Sequence, residues 1–408
     1  MSSISRVLDL ESTAREFKAL QRVRKIRTAE ALLRLALIWG PGGQSFRGTA
    51  SSAQDGGIGT LSDKAVEGRL RKMGDWLEHI LVSLLTARLS KTCPVTDGGL
   101  AVSLVDGSII CSPGKGQDWR LHARYDPARG RFADLVVTTT KQAETVTRTR
   151  IGSGRVLIMD RGYARVRDFK AILDDKSNFI TRISWASVKL YDAQGQRLDI
   201  MGLLCGSTKP REVTVWVEGI KQALRLLIRP LPPEAAERQR QRRRRKANKK
   251  CQKVDPRTIE AAGFLMLLTS LPAETATADA VADAYRQRWQ IEIGFKRLKT
   301  LGDLDRLPCA DPVLARTWLL AHMIVAVLTD DLANEIIAPP PETEKQPPSV
   351  KPAPQSIWRA WAAARKILLF AITPRPNLQD PQVLACFRQR LAEAPRKREI
   401  QACSLRVA

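Results

Sequence analysis

Arg155-Val-Leu-Ile-Met-Asp-Arg-Gly-Tyr163 is the stretch that decides the fold. Four consecutive apolar residues without helical spacing are typical of a strand that is buried on both faces. The run ends at Asp160 and a glycine turn, and a helical pattern at 166–174 and a second strand-like run at 178–183 follow. Strand, helix and strand in this order predict an α/β core.

A second aspartate follows a similar run. Residues 101–105 are mostly apolar and end in Asp106-Gly-Ser108, and residues 133–140 form a further β-rich run. Sheets of the α/β class keep their functional sites at the carboxyl ends of strands. Glycine beside each aspartate lets a backbone or ligand approach closely. Asp106 and Asp160 are therefore candidate site residues, and the alternative for each is a turn or helix-capping residue.

The third carboxylate lies in Tyr285-Arg-Gln-Arg-Trp-Gln-Ile-Glu-Ile-Gly-Phe-Lys-Arg-Leu-Lys299, which predicts a helix. Four polar residues at offsets 0, 3, 7 and 14 share one face of this helix: Tyr285, Arg288, Glu292 and Lys299. We expect Trp289, Ile293 and Phe295 to seat the helix on a core. The alternative is a surface helix with one Arg–Glu pair that contributes a few tenths of a kcal/mol.

Three carboxylates in these contexts predict a metal site. Carboxylates at a buried edge need a counter-charge, because taking an unpaired charge out of water is costly. Mg²⁺ supplies this charge and binds oxygen ligands. Asp106, Asp160 and Glu292 are expected to hold two Mg²⁺ ions about 3.5–4 Å apart, with Mn²⁺ able to substitute. Such a pair of ions promotes in-line phosphoryl displacement.

The strong positive charge of the chain indicates a polyanionic partner. The 408 residues carry a net charge of +25, and the pI is near 10.2. Nucleic acid is the first expectation and an anionic membrane surface the second. No apolar run reaches the roughly 18 residues of a spanning helix, so we expect no membrane partner. The longest run, 318–328, predicts a buried helix.

Cysteine and histidine usage points to a cytoplasmic protein. Seven scattered cysteines without a Cys-x-x-Cys pair, and only three histidines, make a structural zinc site improbable. An odd, dispersed set of cysteines suits reduced thiols. The first ten residues lack the apolar centre of a signal peptide. We therefore expect a cytoplasmic, nucleoid-associated protein.

Residues 1–95 are predicted to form an all-helical DNA-binding domain. An amphipathic helix at 20–39 ends at a Gly-Pro-Gly-Gly stop, and a Gly/Ser-rich loop spans 45–60. Ser62 is expected to cap a basic helix, with a third helix at 76–90. The basic helix carries four cations: Lys64, Arg69, Arg71 and Lys72. This arrangement predicts a unit that reads a DNA groove, and the alternative is a helical bundle with a solvated basic face.

The α/β core, 96–184 and 273–335, is interrupted by a predicted β-rich insertion at 185–272. Its strand-like segments are 187–191, 213–217, 223–228 and 263–269. Nine of the 13 residues at 238–250 are basic. This block repels itself and is expected to be disordered alone, but it suits a phosphate backbone, with a solvated loop as the alternative. Its central residues are Arg243, Arg244 and Arg245.

The C-terminal third adds helices and a linker. A second apolar helix at 312–332 is expected to pack under the carboxylate-bearing helix. A Pro-rich linker then spans 336–355. Residues 356–408 are predicted to form a helical, basic C-terminal region.

The Asp-Gly-Ser and Asp-Arg-Gly-Tyr contexts and the Tyr/Arg/Glu/Lys spacing resemble those of DDE transposases of bacterial insertion sequences. More narrowly, they are similar to the insertion sequence 4 family. The resemblance covers roughly residues 60–330. It implies a ribonuclease-H-like catalytic core with a β-rich insertion. It also implies an N-terminal domain that binds the terminal inverted repeats and a C-terminal region for dimerisation.

The resemblance also implies residue roles. Asp106, Asp160 and Glu292 would be the metal ligands of a cut-and-paste reaction on double-stranded DNA, acting on both the element ends and the target. The residues implied to contact the phosphates and the flipped base of the transferred end are Tyr285, Arg288 and Lys299. We add Arg161 to the predicted DNA contacts.

Family members often form a hairpin at the excised end, with a flipped base stacked on a tryptophan near the strand before the Glu helix. This sequence has Gly263-Phe-Leu-Met266 there. Phe264 is therefore a weaker stacking candidate, and Trp185 or Trp216 is the alternative.

Two other functions are compatible with the sequence. One is a transposase-derived DNA-binding protein that has lost catalysis, and the other is a two-metal nuclease on the same fold. Binding alone does not need three carboxylates near phosphates, which favours an active enzyme. Inverted repeats flanking the gene would favour transposition over both alternatives.

Overall fold

The computed structural model describes residues 2–90, 100–338 and 356–372. Within these ranges the helices are α1 (Ser2–Ser5), α2 (Leu10–Glu16), α3 (Ala29–Trp39), α4 (Phe46–Asp55), α5 (Asp63–Leu70), α6 (Gly74–Ser90), α7 (Val166–Asp174), α8 (Ile200–Leu204), α9 (Pro233–Lys249), α10 (Pro256–Ala261), α11 (Ala278–Arg286), α12 (Trp289–Thr300), α13 (Pro312–Ile337) and α14 (Ile357–Ile372). The strands are β1 (Val102–Ile110), β2 (Trp119–Asp126), β3 (Arg131–Thr139), β4 (Val156–Met159), β5 (Asn178–Arg182), β6 (Arg211–Val215), β7 (Leu224–Pro230) and β8 (Phe264–Thr269).

These eight strands form one mixed sheet, ordered β3-β2-β1-β4-β5-β8-β7-β6. β1, β4 and β5 run parallel to one another, and the other pairings are antiparallel. The prediction of an α/β protein is confirmed. All four residues of β4 are buried, as expected for a central strand that is covered on both faces.

Helices cover the sheet with two apolar cores. One core joins the N-terminal helices and α13 to side chains of β1, β2 and β3. The other joins α7 to the strands of the insertion. Leu33 on α3, Trp76 on α6 and Ile324 on α13 are each 0% exposed within the first core. The N-terminal helices are therefore held against the sheet region by a shared interior.

The helix α13 lies at the centre of the first core. Its length and its mean hydropathy of 1.6 over an 18-residue window would by themselves allow it to cross a membrane. This apolar stretch is longer than the run at 318–328 that the sequence suggested. However, 78% of the window is buried inside the fold. Its composition is that of a helix surrounded by protein, as the sequence predicted.

The sheet differs from the sequence-based expectation at two strands. β1 continues through Asp106 to Ile110, so the prediction that Asp106 ends its strand is wrong. The cause is β2, because residues 106–110 pair with it antiparallel. No strand was predicted for β2, although its sequence WRLHARYD alternates apolar and polar residues as strands do. The fold buries these polar side chains, including Arg124 at 0% exposed.

Three strands of the insertion extend the same sheet. β6, β7 and β8 confirm three of its predicted strands, at 213–217, 223–228 and 263–269. The fourth segment, 187–191, forms isolated bridges at Tyr191 instead of a strand.

The basic block of the insertion is helical, so the expectation of disorder is wrong. α9 starts with Pro233, which is favourable in the first turn because its missing N–H is not needed there. Arginine is a good helix former. Glu237 pairs with Arg240 and Arg244 at 3.8 and 3.5 Å and offsets part of the repulsion.

The N-terminal helices begin and end differently from the prediction. α3 starts at Ala29 rather than at residue 20, because the Thr28 hydroxyl caps it by accepting from Ala31 N. The predicted loop at 45–60 contains α4, capped by Ser45. The predicted Ser62 cap is confirmed: its hydroxyl accepts a hydrogen bond from Ala65 N at 3.2 Å.

Some predictions fall outside the described residues. The boundary at 95/96, most of the linker at 336–355 and residues 373–408 of the C-terminal region belong to this group. Within the described part, α14 packs on α13 through Trp361, which is 1% exposed. The Trp361 indole donates a hydrogen bond to Asp330 at 2.9 Å.

Candidate active site

The sheet places the two aspartates side by side. β1 and β4 are parallel neighbours, and their pairing runs as far as Val105 opposite Met159. Asp106 and Asp160 are the next residues on the two strands. β4 ends at Met159, whereas β1 continues to Ile110. Asp106 therefore lies level with Asp160 although its own strand does not end there.

Asp106 is mostly buried and lacks strong partners. Its Oδ1 accepts a hydrogen bond from Gly107 N at 2.8 Å, and its Oδ2 lies 3.5 Å from Arg288 Nη1. The pKa of Asp106 is raised to about 6, mainly by burial and also by the charges of Asp160 and Glu292, while the Gly107 N–H and Arg288 act in the opposite direction. A carboxylate in this state gains from a second cation.

Asp160 is not a helix cap. It precedes a short 3-10 turn, Arg161–Tyr163, and its side chain makes no capping hydrogen bond to that turn. The Thr181 hydroxyl on β5 contacts the Asp160 backbone carbonyl at 3.4 Å. The carboxylate is therefore not used to terminate secondary structure, which removes the capping alternative for this residue.

The helix that carries Glu292 is interrupted, so the prediction of one continuous helix is wrong. α11 ends at Arg286 and α12 begins at Trp289. Arg288 N donates to Tyr285 O at 3.1 Å, three residues back, so the chain tightens at the junction. The prediction that Trp289 seats the helix is also wrong, since Trp289 is 60% exposed.

Other residues seat α12 on the core. Ile291, Phe295 and Leu298 are buried, and Ile293 is half-buried. Gly294 allows the close approach to the sheet, because a Cβ there would lie 3.0 Å from the Phe132 ring. This contact explains how α12 comes close enough to present Glu292 at the sheet edge.

Arg288 links the carboxylates of the two elements. Its guanidinium contacts Glu292 Oε1 at 2.5 Å and Asp106 Oδ2 at 3.5 Å. It also forms a hydrogen bond with Tyr285, whose pKa is raised to about 12 by burial and by the charge of Asp160. The predicted group of Tyr285, Arg288 and Glu292 is thus brought to the two aspartates. A side-chain cation already lies between Asp106 and Glu292, which indicates that this space suits positive charge.

Lys299 lies further along the same helix. Its Nζ donates to Ile109 O at 2.9 Å, three residues beyond Asp106 on β1. The ammonium is therefore placed along β1, away from the aspartate pair.

The described residues contain no three His, Cys, Asp or Glu side chains close enough together to hold a metal ion. The Arg288 guanidinium contacts both Asp106 and Glu292 and so lies between these two carboxylates. The donor set itself fits a divalent cation, since it consists of carboxylate oxygens and one of them has a raised pKa.

A cavity of about 530 Å³ reaches Arg161, the residue after Asp160, and lies between β5, β8 and the basic helix α9. Its cationic lining consists of Arg161, Arg182, Arg242, Arg243 and Lys246. Its aromatic lining consists of Trp185 and Phe264. Burial lowers the pKa of Arg161, as do the charges of Arg243 and Arg182. Such crowding of positive charge favours an anion.

The three aromatic candidates occupy different positions. Trp185 is held in the cavity wall: its indole donates to Thr258 Oγ1 at 3.2 Å, and Arg257 lies 4.3 Å above its ring. Phe264 is buried, with 9% of its surface exposed. Trp216 is half-buried and exchanges two backbone hydrogen bonds with Tyr191, each at 2.9 Å.

The remaining predicted cations lie on two surfaces. Arg244 and Arg245 are exposed on α9. Lys64, half-buried Arg69 and exposed Lys72 lie on or next to α5.

Arg71 is committed to protein contacts. It bonds Glu67 at 3.1 Å and the Asp311 cap of α13 at 3.0 Å. This pairing gives Arg71 a role in docking α5 against α13.

Sequence reasoning missed four residues at the site. Glu144 precedes a 3-10 turn, and Arg120 lies on the unpredicted strand β2. Arg182 ends β5, and Arg242 lies in the basic block. Two of them lie in segments that the sequence already marked: Arg242 belongs to the basic block, and Arg182 lies at the end of a predicted strand. Glu144 and Arg120 lie in no segment that the sequence marked.

The fold and the site define the class of the protein. Carboxylates from two adjacent strands and a helix meet cations suited to phosphates, an arrangement typical of enzymes that act on nucleic-acid backbones. The transposase DDE domain family model matches residues 98–328.

Curated relatives support the same family. The transposase for insertion sequence element IS421 of Escherichia coli is 37% identical over 355 residues, which is 84% of this chain and 95% of the relative. The InsL protein of insertion sequence element IS186A of Escherichia coli K12 is 37% identical over 354 residues, with the same coverage. The chain belongs to the DDE transposases. It is a transposase, an enzyme that cuts and transfers DNA, as the sequence predicted.

Proposed function

We propose that this transposase excises an insertion sequence and inserts it into target DNA by a cut-and-paste reaction at Asp106, Asp160 and Glu292. The observation that carries the proposal is the convergence of these residues: two lie at the same level of neighbouring parallel strands, and Arg288 joins Asp106 to Glu292. A bound pair of divalent cations, Mg²⁺ or Mn²⁺, would activate the attacking oxygen and stabilise the leaving oxygen.

In this proposal the side chains around the carboxylates orient the DNA. Arg288, which now contacts Asp106 and Glu292, would be available to contact a DNA phosphate where cations offset the charge of those carboxylates. Lys299, placed along β1, contacts a phosphate further from the cut. Tyr285 keeps its proton at neutral pH, since its pKa is about 12, and donates to the same backbone.

The reaction proceeds without a covalent enzyme intermediate. Water attacks the phosphate at the element end, which breaks the P–O3′ bond and leaves a 3′-hydroxyl. This hydroxyl attacks the opposite strand, and the resulting hairpin is opened by a second water. The 3′-hydroxyl finally attacks target DNA in one transesterification, so the number of phosphodiester bonds is conserved in each transfer step.

The cavity that reaches Arg161 supports a place for the flipped base of the hairpin. Trp185 offers an indole that is fixed by Thr258 and Arg257, while Phe264 forms part of the same wall. Base stacking on an aromatic ring is worth about 1–3 kcal/mol. We assign the stacking role to Trp185, with Phe264 as its neighbour, rather than to Trp216.

Several finer features belong to the same proposal. The strands β3-β2-β1-β4-β5 support a ribonuclease-H-like core, with 185–272 as its insertion. The Tyr/Arg/Glu/Lys spacing supports membership in the insertion sequence 4 family. Two copies pair at the element ends, at the nucleoid, through the C-terminal region. The exposed cations of α9 and of α5 contact the DNA backbone.

Strand cleavage tests the proposal. A labelled duplex that carries the element's own end is incubated with Mg²⁺ or with EDTA, using the wild type and Glu292→Ala. We expect metal-dependent nicking at the element boundary that the variant loses while it still binds the end. Cleavage that persists in Glu292→Ala would contradict the assignment. Tight binding without cleavage under any metal would indicate a catalytically inactive descendant.

A further inference from the structure

Glu144 places a fourth carboxylate between the two aspartate loops. A Cβ built on Gly107 would lie 3.2 Å from Glu144 Oε1, and a Cβ built on Gly162 would lie 3.3 Å from Glu144 Oε2. Gly107 follows Asp106 directly, and Gly162 lies two residues after Asp160. Both glycines therefore leave room for the same carboxylate.

The loop that carries Glu144 is fixed from three sides. The Glu144 carbonyl accepts a hydrogen bond from Arg165 Nη1 at 3.0 Å, and its carboxylate lies 3.4 Å from Arg120 Nε. The next two residues are held by Asp168, which is 0% exposed: the Thr145 hydroxyl and Val146 N both donate to it. The position of the Glu144 carboxylate is thus imposed by the fold rather than by chance exposure.

A buried hydroxyl points to the same place. Tyr163 is 2% exposed, and its hydroxyl has no hydrogen-bond partner among the described residues. The hydroxyl lies 3.4 Å from the position of a Cβ on Gly107, on the side where Glu144 also lies. A buried hydroxyl that stays unpaired is costly, so it needs a hydrogen-bond partner at this point. A water molecule with two or more polar partners is a suitable one, and its two protons can be donated to the Tyr163 hydroxyl oxygen and the Glu144 carboxylate.

We propose that Glu144 and Tyr163 are positioning residues that together hold a water ligand of the cation bound by Asp106 and Asp160. In this arrangement the Tyr163 hydroxyl and the Glu144 carboxylate are the protein partners of one water. Mg²⁺ usually keeps several waters, and groups that bond its ligands raise its affinity. Direct coordination by Glu144 is not required, in keeping with the carboxylate spacing of the described residues. This inference rests on the proposed function.

Manganese binding tests the inference independently of turnover. Free Mn²⁺ is measured by electron paramagnetic resonance while Mn²⁺ is titrated into the protein bound to a pre-cut element end. The variants are Glu144→Gln, which keeps the shape and a partner for Arg120, and Tyr163→Phe. Asp106→Asn serves as the positive control, and Glu335→Gln, an exposed residue at the end of α13, serves as the negative control.

We expect each positioning variant to weaken Mn²⁺ affinity about tenfold and the double variant to be little weaker than either single one, because both residues hold one water. Binding of the end without metal should stay at the wild-type level. Gly162→Ala is a second route: it should weaken Mn²⁺ binding by displacing the carboxylate while both side chains remain.

The outcomes separate the two proposals. Wild-type Mn²⁺ affinity in Glu144→Gln and Tyr163→Phe, together with loss in Asp106→Asn, would overturn this inference alone. Unchanged affinity in Asp106→Asn as well would overturn the cation site of the proposed function and this inference with it. Additive losses in the double variant would overturn the shared water.

Discussion

Asp106 and Asp330 are both carboxylates that the fold removes from water, and burial raises the pKa of each. Asp330 is saturated with donors: it accepts from Phe132 N at 3.0 Å and from the Trp361 indole at 2.9 Å, and Arg88 lies 3.8 Å away. Asp106 has one backbone donor and a long contact to Arg288.

The difference teaches how to distinguish a structural carboxylate from a functional one. Asp330 joins β3, α13 and α14, and its oxygens are used up by the protein. Asp106 keeps oxygen lone pairs for a ligand and has only the 3.5 Å contact to the Arg288 guanidinium for charge balance. Burial alone does not separate the two roles, whereas the count of donors around each oxygen does.

The largest expected effect is on catalysis. Asp160→Ala should lower strand cleavage by about 10³-fold or more, since metal ions contribute several kcal/mol to the transition state. Cleavage is measured on the element-end duplex with Mg²⁺, and end binding by gel shift should stay intact. Asp305→Ala is the matched control on an exposed residue. Cleavage at the wild-type rate in Asp160→Ala would contradict the role of the aspartate pair in catalysis.

The structural side is tested by stability. Asp330→Ala leaves two buried N–H donors without their acceptor, while Arg88 keeps its ion pair with Asp331. We therefore expect a loss of about 3 kcal/mol in the free energy of unfolding. Urea denaturation of this variant and of Asp305→Ala measures the difference. A loss below that of the exposed control would show that the Asp330 contacts are not structural.

The opposite sign is expected for Asp106. Its folded-state pKa of about 6 lies above the ordinary value of 3.8, so the folded protein binds this proton more tightly than the unfolded chain. Stability is therefore lost as the pH rises from about 4 to 6. Asp106→Asn should raise the free energy of unfolding at pH 7 by about 2 kcal/mol in EDTA and have little effect near pH 4. Destabilisation at pH 7 would contradict the under-paired state of Asp106.

A smaller effect is expected at the cavity. Trp185→Ala should weaken binding of a hairpin end about tenfold through lost stacking, and Trp185→Phe should restore part of it. Fluorescence of 2-aminopurine at the flipped position reports the stacking directly. Trp216→Ala is the matched control, and an equal effect of both variants would remove the assignment of Trp185.

The smallest effect is expected on the exposed face of α9. Arg245→Ala should reduce the slope of the logarithm of the binding constant against the logarithm of the salt concentration by about 1. It should also weaken binding of the element end without a change of sequence preference. Titrations at several salt concentrations measure the slope. An unchanged slope would place the DNA away from this helix.

The sequence predicted the elements that depend on local patterns. The buried strand β4, the helix α7 and the Ser62 cap follow from apolar runs and capping chemistry. The spacing of Tyr285, Arg288 and Glu292 predicted that these side chains lie together, and Arg288 contacts both of the others. These features are encoded within a few residues of one another.

The features that the sequence did not predict depend on distant partners. β1 extends past Asp106 because β2 pairs with it, and α9 forms although its charges repel, helped by Glu237. Trp289 begins α12 directly after the tightened turn and is exposed there. Glu144 carries no motif, since only the folded loop brings it to Gly107 and Gly162.

In the proposed function, Asp106, Asp160 and Glu292 hold the divalent cation. Iron-directed cleavage tests it most directly: Fe²⁺ with ascorbate cuts the polypeptide next to a bound ion, and mass spectrometry maps the cuts. We predict cuts near residues 106, 160 and 292 that excess Mg²⁺ suppresses and that Asp106→Asn removes. Cuts elsewhere, or the same pattern in Asp106→Asn, would contradict the account.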